Sequence, residues 1–337
     1  MGESVGVLLL LTAVAIVLTW PATARLGSAV IDLGDPLLTT WILAWDVHAL
    51  RTAPFRFFDA NMFHPHRWAL TYTEHLLGLV PLVGLARLAG AGVLLAHNLV
   101  WLATFPLTGL AMFWLVGHLT GQAGAAAIAA LLYAFAPFRI GQLGHVQILS
   151  HQWLPLMLLG LHRAAESRGR WRDVGLAAGA FTLQALSSGY HAFFAAITGA
   201  VFLAWLGLPA TRPPLARLIG RGLIAGAVVA VLLLPLVVAY RLAREEIGLA
   251  RSVIEVQHYV ATPWSYLAAP AESRWFGAAT ARFRAREAAL FRDSSRWRSP
   301  ARASCSPGAH PLTRLEPNQG GAAAGRVGST SRWRSHS

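Results

Sequence analysis

The sequence predicts an all-α, polytopic transmembrane helical bundle of about seven spans, whose extracytoplasmic first loop carries juxtamembrane helices. Three observations carry that expectation. Apolar residues make up 55% of the 337-residue chain and charged residues only 13%, against roughly 25% charged in an average soluble domain. Mean hydropathy is +0.49. Several apolar runs approach the ~20 residues that cross hydrocarbon, and short arginine-rich loops separate some of them.

The first run, residues 5–21, is followed by Ala22-Thr23-Ala24, which has the shape of a signal-peptidase site. A secretory signal needs a basic n-region, and the only early charge is Glu3. The expectation is therefore an uncleaved first span. Residues 94–116, 123–138, 146–161, 174–188, 190–206 and 218–240 supply six more. Residues 75–92 are apolar too, but Pro81, Arg87 and Gly90-Ala91-Gly92 interrupt them. An arginine at mid-span costs a few kcal/mol, so this piece is expected to be a juxtamembrane or re-entrant helix within an outer loop of residues 22–92. Loops 162–173 and 209–222 are short and rich in arginine, and such loops stay cytoplasmic. With seven spans, this places residues 33–75 outside and the N-terminus inside.

The formal charge of +13 is uneven, and every basic residue counted is arginine. From residue 271 onward twelve arginines face four acids, leaving +8 in the tail and, by subtraction from +13, +5 in the first 270 residues. Residues 277–337 are dominated by Arg, Ser, Ala, Gly and Pro. Such a segment cannot bury enough surface to offset its ordering entropy, so a disordered tail is expected after a membrane module spanning 1–276. An arginine-only tail in an Ala- and Gly-rich chain reads as GC-rich coding bias, and no nucleic-acid partner is expected. Cys305 is the sole cysteine, which excludes an intrachain disulfide or a cysteine-based metal site.

Residues 33–75 form the longest polar passage before the tail and gather Asp35, Asp46, Asp59 and Glu74 with several Trp and His side chains. Leu38, Trp41, Ile42, Trp45 and Ala49 recur at helical spacing, as in an interfacial helix with tryptophans at headgroup depth. Asp35 before Pro36 is an N-cap signal, and a carboxylate fixed at a helix start is also placed for chemistry. His64 and His66 are an i, i+2 pair with weak metal-ligand character, and Thr71 with Glu74 has the spacing of a capping box. Alternatively, Glu74 and His75 stand beside Asp35 at the outer surface. In residues 137–147, Arg139 is a candidate for bidentate bonds to a lipid phosphate, with Gln142, His145 and Gln147 as nearby polar partners. The stretch 184–191, which includes Tyr190, adds polar groups on the same side; packing within the bundle explains them equally well.

The order of these pieces resembles the bacterial membrane glycosyltransferases of the GT-C superfamily, broadly akin to the protein mannosyltransferase and aminoarabinose transferase families. The resembling residues are GDP at 34–36, FFDANMFHP at 57–65, YTEHLLG at 72–78, HNL at 97–99, LTG at 119–121, FAPFRIGQLGHVQ at 135–147, QALSSGYHAFF at 184–194 and SYLAAP at 265–270. The resemblance implies a multi-pass enzyme of the bacterial cytoplasmic membrane. It would transfer a sugar from a polyprenyl-phosphate donor to an extracytoplasmic acceptor. An early loop acid, here Asp35, would act as general base or hold a divalent metal. Asp59, Glu74, His75, Arg139, Gln142, His145, Gln147 and Tyr190 would contact substrate or membrane lipid. Relatives continue with further membrane helices where this chain turns arginine-rich, as expected if the reading frame shifts near Phe291. Translating the other two frames of the same DNA tests that. The rival class is a non-enzymatic transporter or lipid-handling protein, which would show repeated halves with broken helices.

Overall fold

A computed structural model describes residues 2–166, 169–207, 215–248, 263–268 and 278–283. The remainder of the basic tail, and with it the expected frame shift, lies outside the described residues. The described elements are all helical. In chain order the α-helices are α1 (Gly2–Leu18), α2 (Asp35–Thr52), α3 (Val80–Leu88), α4 (Val93–Thr120), α5 (Ala123–Ala134), α6 (Pro137–Ile140), α7 (Val146–Leu149), α8 (Trp153–Ala165), α9 (Trp171–Ser187), α10 (Gly189–Gly207) and α11 (Leu215–Ile247).

Four helical stretches are long and apolar enough to cross a membrane: Val93–Thr120, Ala123–Ile140, Gly189–Gly207 and Ile219–Glu246. This is a membrane protein. Each apolar run of the sequence is mainly helical, but α1, α8 and α9 are shorter than these four. The run 146–161 is not one helix. Pro155 lies in the first turn of α8, where its missing N–H is harmless, and its ring crowds the His151 carbonyl, which disfavours carrying the helix back through that residue, although Pro106 and Pro235 are accommodated inside α4 and α11. Residues 150–152 therefore separate α7 from α8. The run 75–92 yields a 3-10 turn at Leu77–Leu79 leading into α3, of nine residues and roughly 14 Å, too short to cross.

The most apolar stretch of α4 is 61% buried, that of α11 only 11%. Helix α4 is thus the hub. It packs against α1, α2, α3, α5 and α8, while α9 packs against α8, α10 and α11. Leu223, Val231 and Val237 on α11, and Phe193 and Val201 on α10, project outward, as apolar side chains do toward lipid. Close crossings set the register of the rest. A Cβ on Gly160 of α8 would lie 2.5 Å from the main-chain nitrogen of Ala177 on α9, and one on Gly78 would lie 2.3 Å from the Leu183 carbonyl.

Helix α2 lies on α3 and α4. Its buried residues include Thr39, Ile42, Leu43, Asp46 and Ala49, while Trp41 and Trp45 are half-buried and Leu38 is exposed. The helix sits where the sequence predicts, but its buried stripe runs through Asp46.

Candidate functional site

Gly34 occupies the N-cap of α2, Asp35 is its first residue and Pro36 its second. Asp35 is therefore not the cap. Its Oδ2 lies 2.7 Å from His145 Nε2, with both side chains partly exposed. The preceding loop packs on the hairpin that carries His145. Asp32 Oδ1 accepts from the Gly34 amide at 2.8 Å, and its Oδ2 lies against Gly144, 2.5 Å from where a Cβ would stand. Thr39 Oγ1 is 3.0 Å from His97 Nε2. Asn98, beside His97, donates to the Leu26 and Ala29 carbonyls at 2.7 and 2.8 Å. The loop, α2 and the start of α4 are thereby fixed together.

The hairpin is held by Arg139, buried under the Phe105 ring. Its guanidinium donates to the Ala134 carbonyl, to the Thr104 carbonyl and Thr108 hydroxyl of α4, and to the Leu149 carbonyl at 2.5 Å. The setting is that of a staple between α4, α5 and α7. Gln142 and His145 stand on the hairpin it fastens, the His145 amide donating to the Gln142 carbonyl at 2.9 Å.

Beyond His145 the hairpin borders a polar interior. His151 and His191 stack edge-on with ring centroids 4.2 Å apart, Tyr133 Oη is 3.4 Å from His151 Nδ1, and the His191 ring bonds the main chain of Gln147. Gln184 donates to the Ser150 carbonyl at 3.0 Å and Gln152 to the Ser150 hydroxyl at 2.9 Å. Yet Gln147 Oε1, His151 Nε2, Gln152 Oε1, Gln184 Oε1 and His191 Nδ1 are buried and make no hydrogen bond within the protein. Buried polar atoms are nearly always satisfied, so these five mark residues with hydrogen-bonding capacity left for water or a polar ligand.

Glu74 meets the start of α10. Its Oε1 accepts from Ser188 Oγ at 3.1 Å and from the Gly189 amide at 2.8 Å. It therefore caps α10, and no box forms with Thr71, whose hydroxyl donates to the Trp68 carbonyl. Burial raises the Glu74 pKa, against the lowering effect of these bonds. His75 is buried, which lowers its pKa to about 4 against the opposing bond to the Leu186 main chain. Asp46 is fully buried; its Oδ2 accepts from the Leu76 amide at 3.2 Å. Burial raises its pKa to about 7, with that amide pulling the other way. Tyr240 of α11 closes the group, its hydroxyl donating to the Thr73 carbonyl at 2.8 Å.

The sequence-predicted residues thus fall into two groups. Asp35, Gln142, His145 and Gln147 share the hairpin end. Glu74 and His75 instead gather with Asp46, eleven residues and roughly 16 Å along α2 from Asp35. Asp59 accepts from the Trp68 amide at 3.1 Å, and Tyr190 is exposed at the start of α10. Arg51 and Arg87, with His48, line a separate cavity of about 470 Å³. Arg51 lies roughly 24 Å along α2 from Asp35, too far to serve the same reacting bond. Sequence reasoning missed Asp32, Tyr133, His151 and Gln152. The one local signal was the pair of acids in Asp32-Leu33-Gly34-Asp35. Comparison with protein-family models, curated proteins and solved structures finds no match to this chain.

Proposed function

We propose that this chain is the membrane module of a glycosyltransferase that moves a sugar from a polyprenyl-phosphate carrier to an extracytoplasmic acceptor. The observation that carries the reading is the Asp35–His145 pair, a partly exposed carboxylate oriented by an imidazole at 2.7 Å. An acceptor hydroxyl must lose its proton as its oxygen attacks the anomeric carbon, and a positioned carboxylate accepts it. The bond from that carbon to the phosphate oxygen breaks, and the lipid phosphate departs with the electron pair. His145 orients the base, and Gln142, on the same hairpin, is the candidate donor to the departing phosphate. Arg139 acts as a positioning residue, holding the hairpin that presents them. Gln147 and the His151–His191 interior offer bonds to sugar hydroxyls, with Tyr190 at the margin. Glu74 and His75 fix the start of α10, and Asp59 fixes Trp68. In this reading α1, α4, α5, α8, α9, α10 and α11 all cross the bacterial cytoplasmic membrane, with the N-terminus in the cytoplasm. The apolar cavity of about 580 Å³ between α8, α9, α10 and α11 suits an isoprenoid chain.

A second reading, a transporter or lipid-handling protein, draws on the same unpartnered interior atoms, which would coordinate a passing solute. One assay separates the two. Membranes containing the full chain are given radiolabelled polyprenyl-phosphate hexoses and pentoses, and covalently labelled acceptor is measured. Asp35→Asn, at unchanged membrane level, is expected to lower transfer at least ~100-fold, the usual scale for general-base catalysis. Undiminished transfer removes Asp35 from the mechanism. Accumulation of label across the membrane with no covalent product would favour the second reading.

A further inference from the structure

The last turn of α4 and the last turn of α8 bring three metal-ligating side chains together, well away from the Asp35 site. His118 Nε2 is 2.8 Å from Glu166 Oε1, His162 Nδ1 is 3.2 Å from His118 Nε2, and His162 Nδ1 is 3.5 Å from Glu166 Oε1. Among the described residues, this is the one group of three or more His, Cys, Asp or Glu side chains whose ligand atoms converge. From these observations we infer a binding site for one divalent first-row transition ion of the zinc class, held by His118, His162 and Glu166, clamping α4 to α8.

The triangle of ligand atoms fits an ion. A point ~2.1 Å from all three atoms, the usual zinc–nitrogen and zinc–oxygen distance, exists ~1 Å above their plane. Two imidazole nitrogens and one carboxylate oxygen are a recognised donor set for zinc and its neighbours, and three protein ligands leave a position for water. A cation held there would take one lone pair from each of the three converging atoms.

The electrostatics agree. Glu166 is the C-cap of α8, and His118 lies in the last turn of α4. Both helix ends carry partial negative charge, which disfavours a carboxylate and favours a cation. His162 and Glu166, four residues apart on one helix, present their ligand atoms on one face. The site has a route from outside: His118 lines a cavity of about 640 Å³ together with Glu3, Trp114 and Arg163. Arg163 is the nearby positive group, and Glu3 is its opposite on that wall. His97, which contacts α2, and His118 are 21 residues apart on α4, so the two sites are separated by roughly 31 Å along its axis.

The test uses the full chain purified in detergent, freed of any polyhistidine tag and stripped with chelator. Zn²⁺ is added, excess is removed, and retained metal is measured by atomic emission. One equivalent is expected, with His118→Gln, His162→Gln and Glu166→Gln each weakening retention at least tenfold. The exposed pair His64→Gln/His66→Gln is the control for adventitious chelation and is expected to retain the full equivalent. Loss of metal in that control instead of the three variants overturns the proposal, as does retention of less than a tenth of an equivalent by the parent chain. Should the variants fail to fold, the parent chain loaded with Co²⁺ decides: visible d–d absorption typical of a low-coordinate nitrogen–oxygen site supports the clamp, and a spectrum of hexaaquo cobalt overturns it.

Discussion

At the scale of single residues, the group around Asp46 sets opposing demands on pH. Burial raises the Asp46 pKa from 3.8 to about 7, so between those values the folded chain keeps a proton that the unfolded chain releases. Stability therefore falls as pH rises through that window, by on the order of 4 kcal/mol in full. His75 runs the other way. Burial lowers its pKa from 6.5 to about 4, so the unfolded chain binds a proton the folded chain refuses. Its contribution rises with pH over 4 to 6.5, by roughly 3 kcal/mol. Glu74, with its pKa also raised by burial, adds to the Asp46 trend. The parent chain is expected to show a shallow profile, and each variant to unmask one arm. Apparent melting temperature in detergent, scanned from pH 4.5 to 7, should fall with pH in His75→Gln. It should fall less, or rise, in Asp46→Asn, whose amide oxygen still accepts from the Leu76 amide. Parallel profiles in the two variants would remove the opposition.

At the scale of elements, the helices were legible where pattern and breakers agreed. Pro and Gly marked the short length of α3, and Asp35-Pro36 marked the start of α2 within one residue. The face of α2 was not legible. Helical spacing of large apolar side chains marked α2 as an interfacial helix but gave Asp46 no role, whereas tertiary contacts bury Asp46 and leave Leu38 at the surface. No periodicity announces a carboxylate whose amide partner lies thirty residues on. The run 146–161 misled for a related reason: hydropathy alone does not register that Pro155 disfavours helical backbone at His151. Arg139 was conspicuous as a charge among apolar residues, but only the fold reveals the carbonyls around it. Glycine at the α8–α9 crossing is another hidden constraint. Gly160→Ala would set a Cβ 2.5 Å from the main-chain nitrogen of Ala177, which no rotamer relieves. The expected cost is that of overpacking, about 1–3 kcal/mol, read as a lower melting temperature and reduced yield of monodisperse protein. Gly175→Ala, where nothing lies within 4 Å, is the comparison and should not lower stability; equal losses in both would mean the crossing is not the constraint.

At the scale of the whole molecule, the layout of spans is the expectation with most depending on it. Four helical stretches meet the length and hydropathy of a crossing. Helices α1 and α9 have 17 residues each and α8 has 13, or roughly 25 and 20 Å against ~30 Å of hydrocarbon. Their crossing requires local thinning or flanking residues that snorkel, each costing fractions of a kcal/mol per Å. That cost is small beside the expense of leaving their apolar faces in water, so these lengths are compatible with the seven crossings proposed above, which would put the Asp35–His145 pair and the His118–His162–Glu166 cluster on opposite membrane faces. The sole cysteine, Cys305, makes the layout directly measurable. In a Cys305→Ser background, single cysteines replace Leu33 before α2 and Arg172 at the start of α9, both exposed, and an impermeant maleimide is applied to intact bacterial cells and to permeabilised ones. Leu33→Cys is expected to react in intact cells. Arg172→Cys is expected to react only after permeabilisation, because the proposed arrangement puts the short arginine-rich loop 162–173 in the cytoplasm. Labelling of both in intact cells would place the two loops on one side, and the seven-span arrangement would have to be abandoned together with the assignment of the two sites to opposite membrane faces.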